Sequence, residues 1–181
     1  GLVYGDLQQW EDCISAHEKS VKIARQLFDQ GALALRLGHL GGSYFTQKRY
    51  AEAIPSLQES AALHSQMGQQ IEASLRWSML GDAAAEVGRD AHPDPSAHEQ
   101  YRLALEAYGQ AMEHMRALND TVREADTIRK VGMVLADVGQ YDDAQQYLGA
   151  AEQMFAALGL NQQAERSRQT LKRLIEFLKE E

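Results

Sequence analysis

One set of small and aromatic residues returns along this chain at a fixed step of 40 positions, and that step constrains the fold more than any other feature. Tyr101 and Tyr141, Ala104 and Ala144, Gly109 and Gly149, Ala111 and Ala151, and Leu118 and Leu158 are each 40 apart, as are Gly41 and Gly81. From Gly81 to Gly132 the step is 51, so the middle unit carries an 11-residue insertion. Self-similarity at such a period marks stacked supersecondary units. An incomplete earlier unit fits the same register: Trp10, Cys13, Ile14 and Ser20 each precede Tyr50, Ala53, Ile54 and Ser60 by 40. Gly1 and Tyr4 then match Gly41 and Tyr44. On that register the chain starts inside a helix and reads as a piece of a longer protein.

Within each unit the apolar spacing is helical. Ile128, Val131, Leu135 and Val138 follow the three-and-four spacing of one buried helix face, and Ala144, Tyr147, Leu148, Ala151, Phe155 and Leu158 repeat it. Gly139 lies between the two runs and is suited to the left-handed backbone that ends a helix. Asp120, Thr121 and Asn161 are capping-type residues ahead of further helices. Sustained alternation of β-branched residues, the mark of a strand, is not found. The units divide as a partial unit at residues 1–30, full units at 31–69, 70–120 and 121–160, and a terminal amphipathic helix at 161–181. Inside the third, Pro93 and Pro95 alternate with Asp94 and Ser96, which predicts an extended surface loop over 89–99.

Leu40-Gly41, Tyr44, Tyr50, Ala53 and Ser60, together with Val131-Gly132, Leu135, Gly139, Tyr141, Ala144 and Ala151, resemble the tetratricopeptide repeat (TPR). Trp77, four before Gly81, stands at that family's aromatic position; Leu37 and Ile128 replace it in the neighbouring units. The 40-residue period exceeds the family's usual one. It is similar to the extended variety found in kinesin light chains, spindle-orientation adaptors and bacterial TPR regulators. The small residues permit two helices to touch at backbone distance. Lys48 stands where the other units carry Gly between helices, which predicts a less regular turn there. The resemblance implies an all-α, right-handed α-solenoid of antiparallel hairpins, closed by residues 161–181 as a capping helix.

It also implies a non-catalytic protein-interaction scaffold with the first helix of each hairpin lining a concave groove. Carried across by register, the groove positions are Leu35 and Phe45, then Leu75, Ser78, Asp82 and Glu86, then Asp126, Arg129, Met133 and Asp137, with Arg166 and Arg173 from the terminal helix. Gly38, Gly42 and Met133 occupy places where carboxylate-clamping relatives carry Lys and Asn, which argues against a receptor for chaperone tails. Asp82, Glu86 and Asp137 suggest an acidic middle and a partner segment of basic character. The other reading is a sensor or regulatory segment of a larger signalling ATPase or transcription regulator. Self-association through the exposed first repeat is a further expectation.

No catalytic constellation is visible. The six histidines lack a ligand set of metal-site spacing, and Cys13 falls at a small core position. Gly38 to Gly42 lacks the Lys-Ser/Thr that completes a phosphate loop. No cofactor or metal is expected. A net charge of −8 disfavours phosphate-backbone binding, so no nucleic-acid partner is expected. No apolar run approaches the ~18 residues of a membrane span. The lone cysteine fits a reducing compartment, and the expected location is the cytoplasm.

Overall fold

The computed structural model describes residues 7–180. They form eight helices: α1 (Leu7–Gln26), α2 (Gln30–Thr46), α3 (Tyr50–Gln66), α4 (Gln70–Ala91), α5 (Ser96–Ala117), α6 (Thr121–Asp137), α7 (Tyr141–Ala157) and α8 (Asn161–Glu180). Each helix packs on the next in sequence, and α4 also meets α6. The result is an all-α repeat solenoid, with the core running along the stack as successive clusters. The match of Gly1 and Tyr4 to the first helix of the repeat lies outside the described residues.

The small residues do what the register requires. Ala53, Ala104 and Ala144 are fully buried. Gly41 faces Leu57, Gly81 faces Tyr108 and Gly132 faces Leu148, in each case so closely that a Cβ would come within 3 Å of the partner side chain. Cys13 departs from its equivalents, being only half-buried; the residues that would face it by register precede Leu7. α8 continues the stack by packing Ala164 against Phe155, Ala151 and Ala125, with Arg168 bridging to Glu152 at 2.7 Å. Lys172 stands 40 after Gly132, where the preceding unit has its closely packed glycine. Ile23 in the last turn of α1 and Leu27 and Phe28 in the turn that follows it are exposed apolar residues.

The expected loop at 89–99 is corrected by the structure. α4 continues to Ala91 and α5 begins at Ser96, leaving only residues 92–95 outside helix. Both helices have 22 residues against 17 in α2, α3, α6 and α7. The insertion is thus a five-residue extension of each helix plus one added turn residue. The two prolines break nothing because Pro93 lies in the turn and Pro95 at the N-cap, where a missing N–H costs nothing. The extension is packed: Gly88 sits against the Tyr101 ring, and Ala97 is buried. Asp94 accepts from the Ser96 N–H at 2.8 Å.

The turn at Lys48 is also more regular than its sequence suggests. Lys48 has φ 59, beside 69 at Gly68, 77 at Gly139 and 72 at Gly159, with Phe28 and Asn119 at 55 and 54. Its N–H donates to the Phe45 carbonyl at 2.9 Å and the Arg49 N–H to the Tyr44 carbonyl at 2.9 Å. Gly139 and Gln140 make the same pair of bonds to Ala136 and Leu135. This is the Schellman closure, which satisfies the last helix carbonyls. A Cβ in the left-handed region costs roughly 1 kcal/mol, offset in part by the greater chain entropy of glycine. Lys48→Gly is therefore expected to stabilise the exposed turn by about 0.5 kcal/mol, read as a rise of a degree or two in a thermal melt. A lower melting temperature would show that Lys48 is held there by a favourable contact.

Candidate partner-binding groove

Side chains of the first helices α2, α4 and α6, with Tyr50 of α3 and Tyr108 of α5, form a trough of about 270 Å³. Phe45, Asp82, Glu86, Arg129 and Met133, all expected at groove positions, line it together. Tyr50, Ala85, Arg89, Tyr108 and Lys130 complete the wall. Phe45 meets Tyr50 edge-on, with ring centroids 5.2 Å apart. Asp126 and Asp137 join through their ion pairs. Leu35 and Leu75, 42% and 44% exposed, are outside the lining of this cavity. Ser78 is half-buried on α4, and Arg166 and Arg173 are exposed on α8, outside the cavity.

The electrostatics differ from the expectation. Asp82 accepts from the Tyr108 hydroxyl at 2.8 Å and pairs with Lys130 at 2.9 Å. Arg89 joins Glu86 at 2.5 Å to Asp137 at 2.8 Å. Asp126 lies 2.7 Å from Arg129 and 3.5 Å from Lys130. Every carboxylate of the supposed acidic middle therefore has a cation within 4 Å, and the cause for a basic partner segment is removed. Burial, with Asp82 beside it, pushes the Tyr108 phenol far above its ordinary value, so the hydroxyl remains a donor.

Sequence reasoning missed Tyr108, Arg89 and Lys130. By register Tyr108 is the equivalent of Leu57 and Leu148, the core residues opposite Gly41 and Gly132. Its ring fills that place and its hydroxyl reaches past the core into the trough. A polar tip at an otherwise leucine position was the available signal. The cross-hairpin pairs share one spacing: Asp82 to Lys130 and Arg89 to Asp137 are both 48 apart, three short of the 51-residue step between equivalent positions. Facing first helices thus meet one turn out of register.

Among the described residues, no three His, Cys, Asp or Glu side chains gather as a metal site. None of the helices is long and apolar enough to cross a membrane.

Residues 1–66 match the family model described as tetratricopeptide repeat. No curated protein matches the sequence. Among solved structures the chain is similar to MamA, at 18% identity and a TM-score of 0.56 over 99% of this chain and 100% of that one. It is similar to a Podosopora anserina putative kinesin light chain with nearly identical TPR-like repeats, at 13% identity and TM-score 0.60, covering 92% and 87%. The apo form of RapI matches at 13% identity and TM-score 0.54, covering 96% of this chain and 65% of that one. At these identities the shared property is the fold.

Proposed function

We propose that this tetratricopeptide-repeat solenoid is a protein–protein interaction scaffold that holds a peptide or helical segment of a partner in the trough along α2, α4 and α6. One observation carries the reading: a single cavity is walled by side chains from three successive hairpins, the second and third of which are tied together by the Asp82–Lys130 and Arg89–Asp137 pairs. A wall already ordered in the free protein loses little side-chain entropy on binding. It combines apolar Phe45, Ala85 and Met133 with polar groups that can orient a segment.

Met133→Arg places a long charged side chain into the cavity from a half-buried position. It is expected to weaken capture of the natural partner by at least tenfold, or about 1.4 kcal/mol, with the circular dichroism spectrum unchanged. Isothermal titration with the partner isolated on the wild-type chain checks it. Undiminished affinity in a folded Met133→Arg protein would place the binding surface elsewhere.

A further inference from the structure

The same one-turn-offset relation that brings Asp82 to Lys130 brings His39 on α2 toward Arg76 on α4, 37 apart where equivalent positions are 40 apart. Here base faces base. Arg76 lies directly on Gly38, where a Cβ would stand 2.5 Å from its Nε, so the missing side chain is the seat of the guanidinium. That Nε is buried without a hydrogen-bond partner. The His17 ring of α1 stands edge-on to His39, centroids 5.7 Å apart, and Arg36 precedes His39 by one turn of α2.

Most arginines elsewhere are paired: Arg49, Arg89, Arg116, Arg123, Arg129 and Arg168 each hold a carboxylate, while Arg166 and Arg173 stand exposed to solvent on α8. Arg36, Arg76, His17 and His39 have none within 4.0 Å among the described residues, although the chain carries eight net negative charges. The nearby acids of α1 are engaged, Glu11 with Arg49 and Glu18 with the Tyr44 hydroxyl. Burial pushes the Arg76 guanidinium below its ordinary value, with Glu72 on its own helix opposing only at a distance. Burial also lowers His39, and the neighbouring His17, Arg76 and Arg36 lower it further. His17, Arg76 and Arg36 each oppose a positive charge on His39, and the half-buried Arg76 cation without a partner is costly.

We infer that Arg36, His39 and Arg76, with His17 alongside, form a subsite that receives a carboxylate side chain from an acidic segment of the partner. The inference rests on the trough being the binding surface. A carboxylate placed there supplies the acceptor that the buried Arg76 Nε lacks and a counter-charge for Arg36. Leu35, one turn before His39, and Leu75, beside Arg76, offer apolar ground for residues flanking it. The segment that fits carries Asp or Glu next to large apolar side chains, and its complement is the reverse of the basic ligand that the sequence suggested.

The probe is a random-sequence peptide library displayed on phage, selected against the 181-residue chain, with affinities of the recovered peptides measured on Arg36→Glu, Arg76→Gln and Met133→Arg. Arg36 is exposed, so its variant keeps the test open if Arg76→Gln folds poorly. The expected result is enrichment of Asp or Glu beside Leu, Ile or Phe. Affinity should fall at least tenfold on Arg36→Glu or Arg76→Gln, as losing a charge-assisted contact predicts, and weaken as salt rises. Selected peptides without acidic bias, or acidic ones bound equally by both arginine variants, overturn the subsite and leave the trough standing. Peptides that ignore Met133→Arg overturn the trough and the subsite with it.

Discussion

Gly81→Val is expected to lower the stability of the solenoid by about 2–4 kcal/mol. That corresponds to a fall of roughly 5–15 °C in melting temperature for a chain of this size. A Cβ at Gly81 would stand 2.5 Å from Cε1 and 2.6 Å from Cδ1 of Tyr108, whose ring is almost wholly buried between α4 and α5. The ring cannot swing outward without leaving its place in the core and stretching its bond to Asp82. Valine is a better helix former than glycine by a few tenths of a kcal/mol, which is too little to offset the overlap. Gly109 gives the control. It lies in the middle of α5 with nothing within 4 Å of a built Cβ, so Gly109→Ala keeps the gain in helix propensity and meets no obstruction. It should stabilise by up to about 1 kcal/mol. Parallel melts of the two variants decide the matter. Shifts of the same sign would mean that close helix approach is not what places glycine at position 81.

How far the fold could be read in advance depended on which residues carried the signal. Gly41, Gly81 and Gly132 with Ala53, Ala104 and Ala144 are tied to backbone-distance packing, where few alternatives are tolerated, so their spacing alone located the hairpins. The stretch from Arg89 to Glu99 misled because its prolines and aspartate are turn residues by local preference. What made most of it helical is long-range: the Gly88–Tyr101 contact and the burial of Ala97. Lys48 misled in the opposite sense, since two backbone bonds impose the left-handed turn whatever the side chain. In the trough, five expected residues did converge on one cavity. Their charges were misjudged because the neutralising cations come from the next hairpin, 48 positions along, or from residues assigned to the loop. The same blindness concealed the cationic end. Nothing in the neighbourhood of Arg76 announces that its guanidinium will rest on Gly38, which is 38 residues away.

Phe155→Ala tests whether the chain behaves as a linear array. Phe155 is 2% exposed, between α7 and α8, among Ala125, Ala151 and Ala164. Deleting its ring is expected to cost about 3–5 kcal/mol locally, since the surrounding alanines are too small to fill the space. In a globular core that loss would be felt everywhere. In a solenoid each unit is held by its neighbours, and an end unit has only one. α8 packs chiefly on α7, with Ala164 also reaching Ala125 of α6, whereas α4 is held by α3, α5 and α6. The loss should therefore appear as fraying. Hydrogen exchange should show α8 and the second half of α7 losing protection by roughly two to three orders of magnitude, the equivalent of about 3–4 kcal/mol. α3, α4 and α5 should keep theirs. Binding at the cavity between α2, α4 and α6 should survive in the same variant, because every residue that lines it lies before α7. Equal loss of protection in all helices would show that the stack unfolds as a single unit, and that the terminal helix stabilises the trough as well as covering the end of the core.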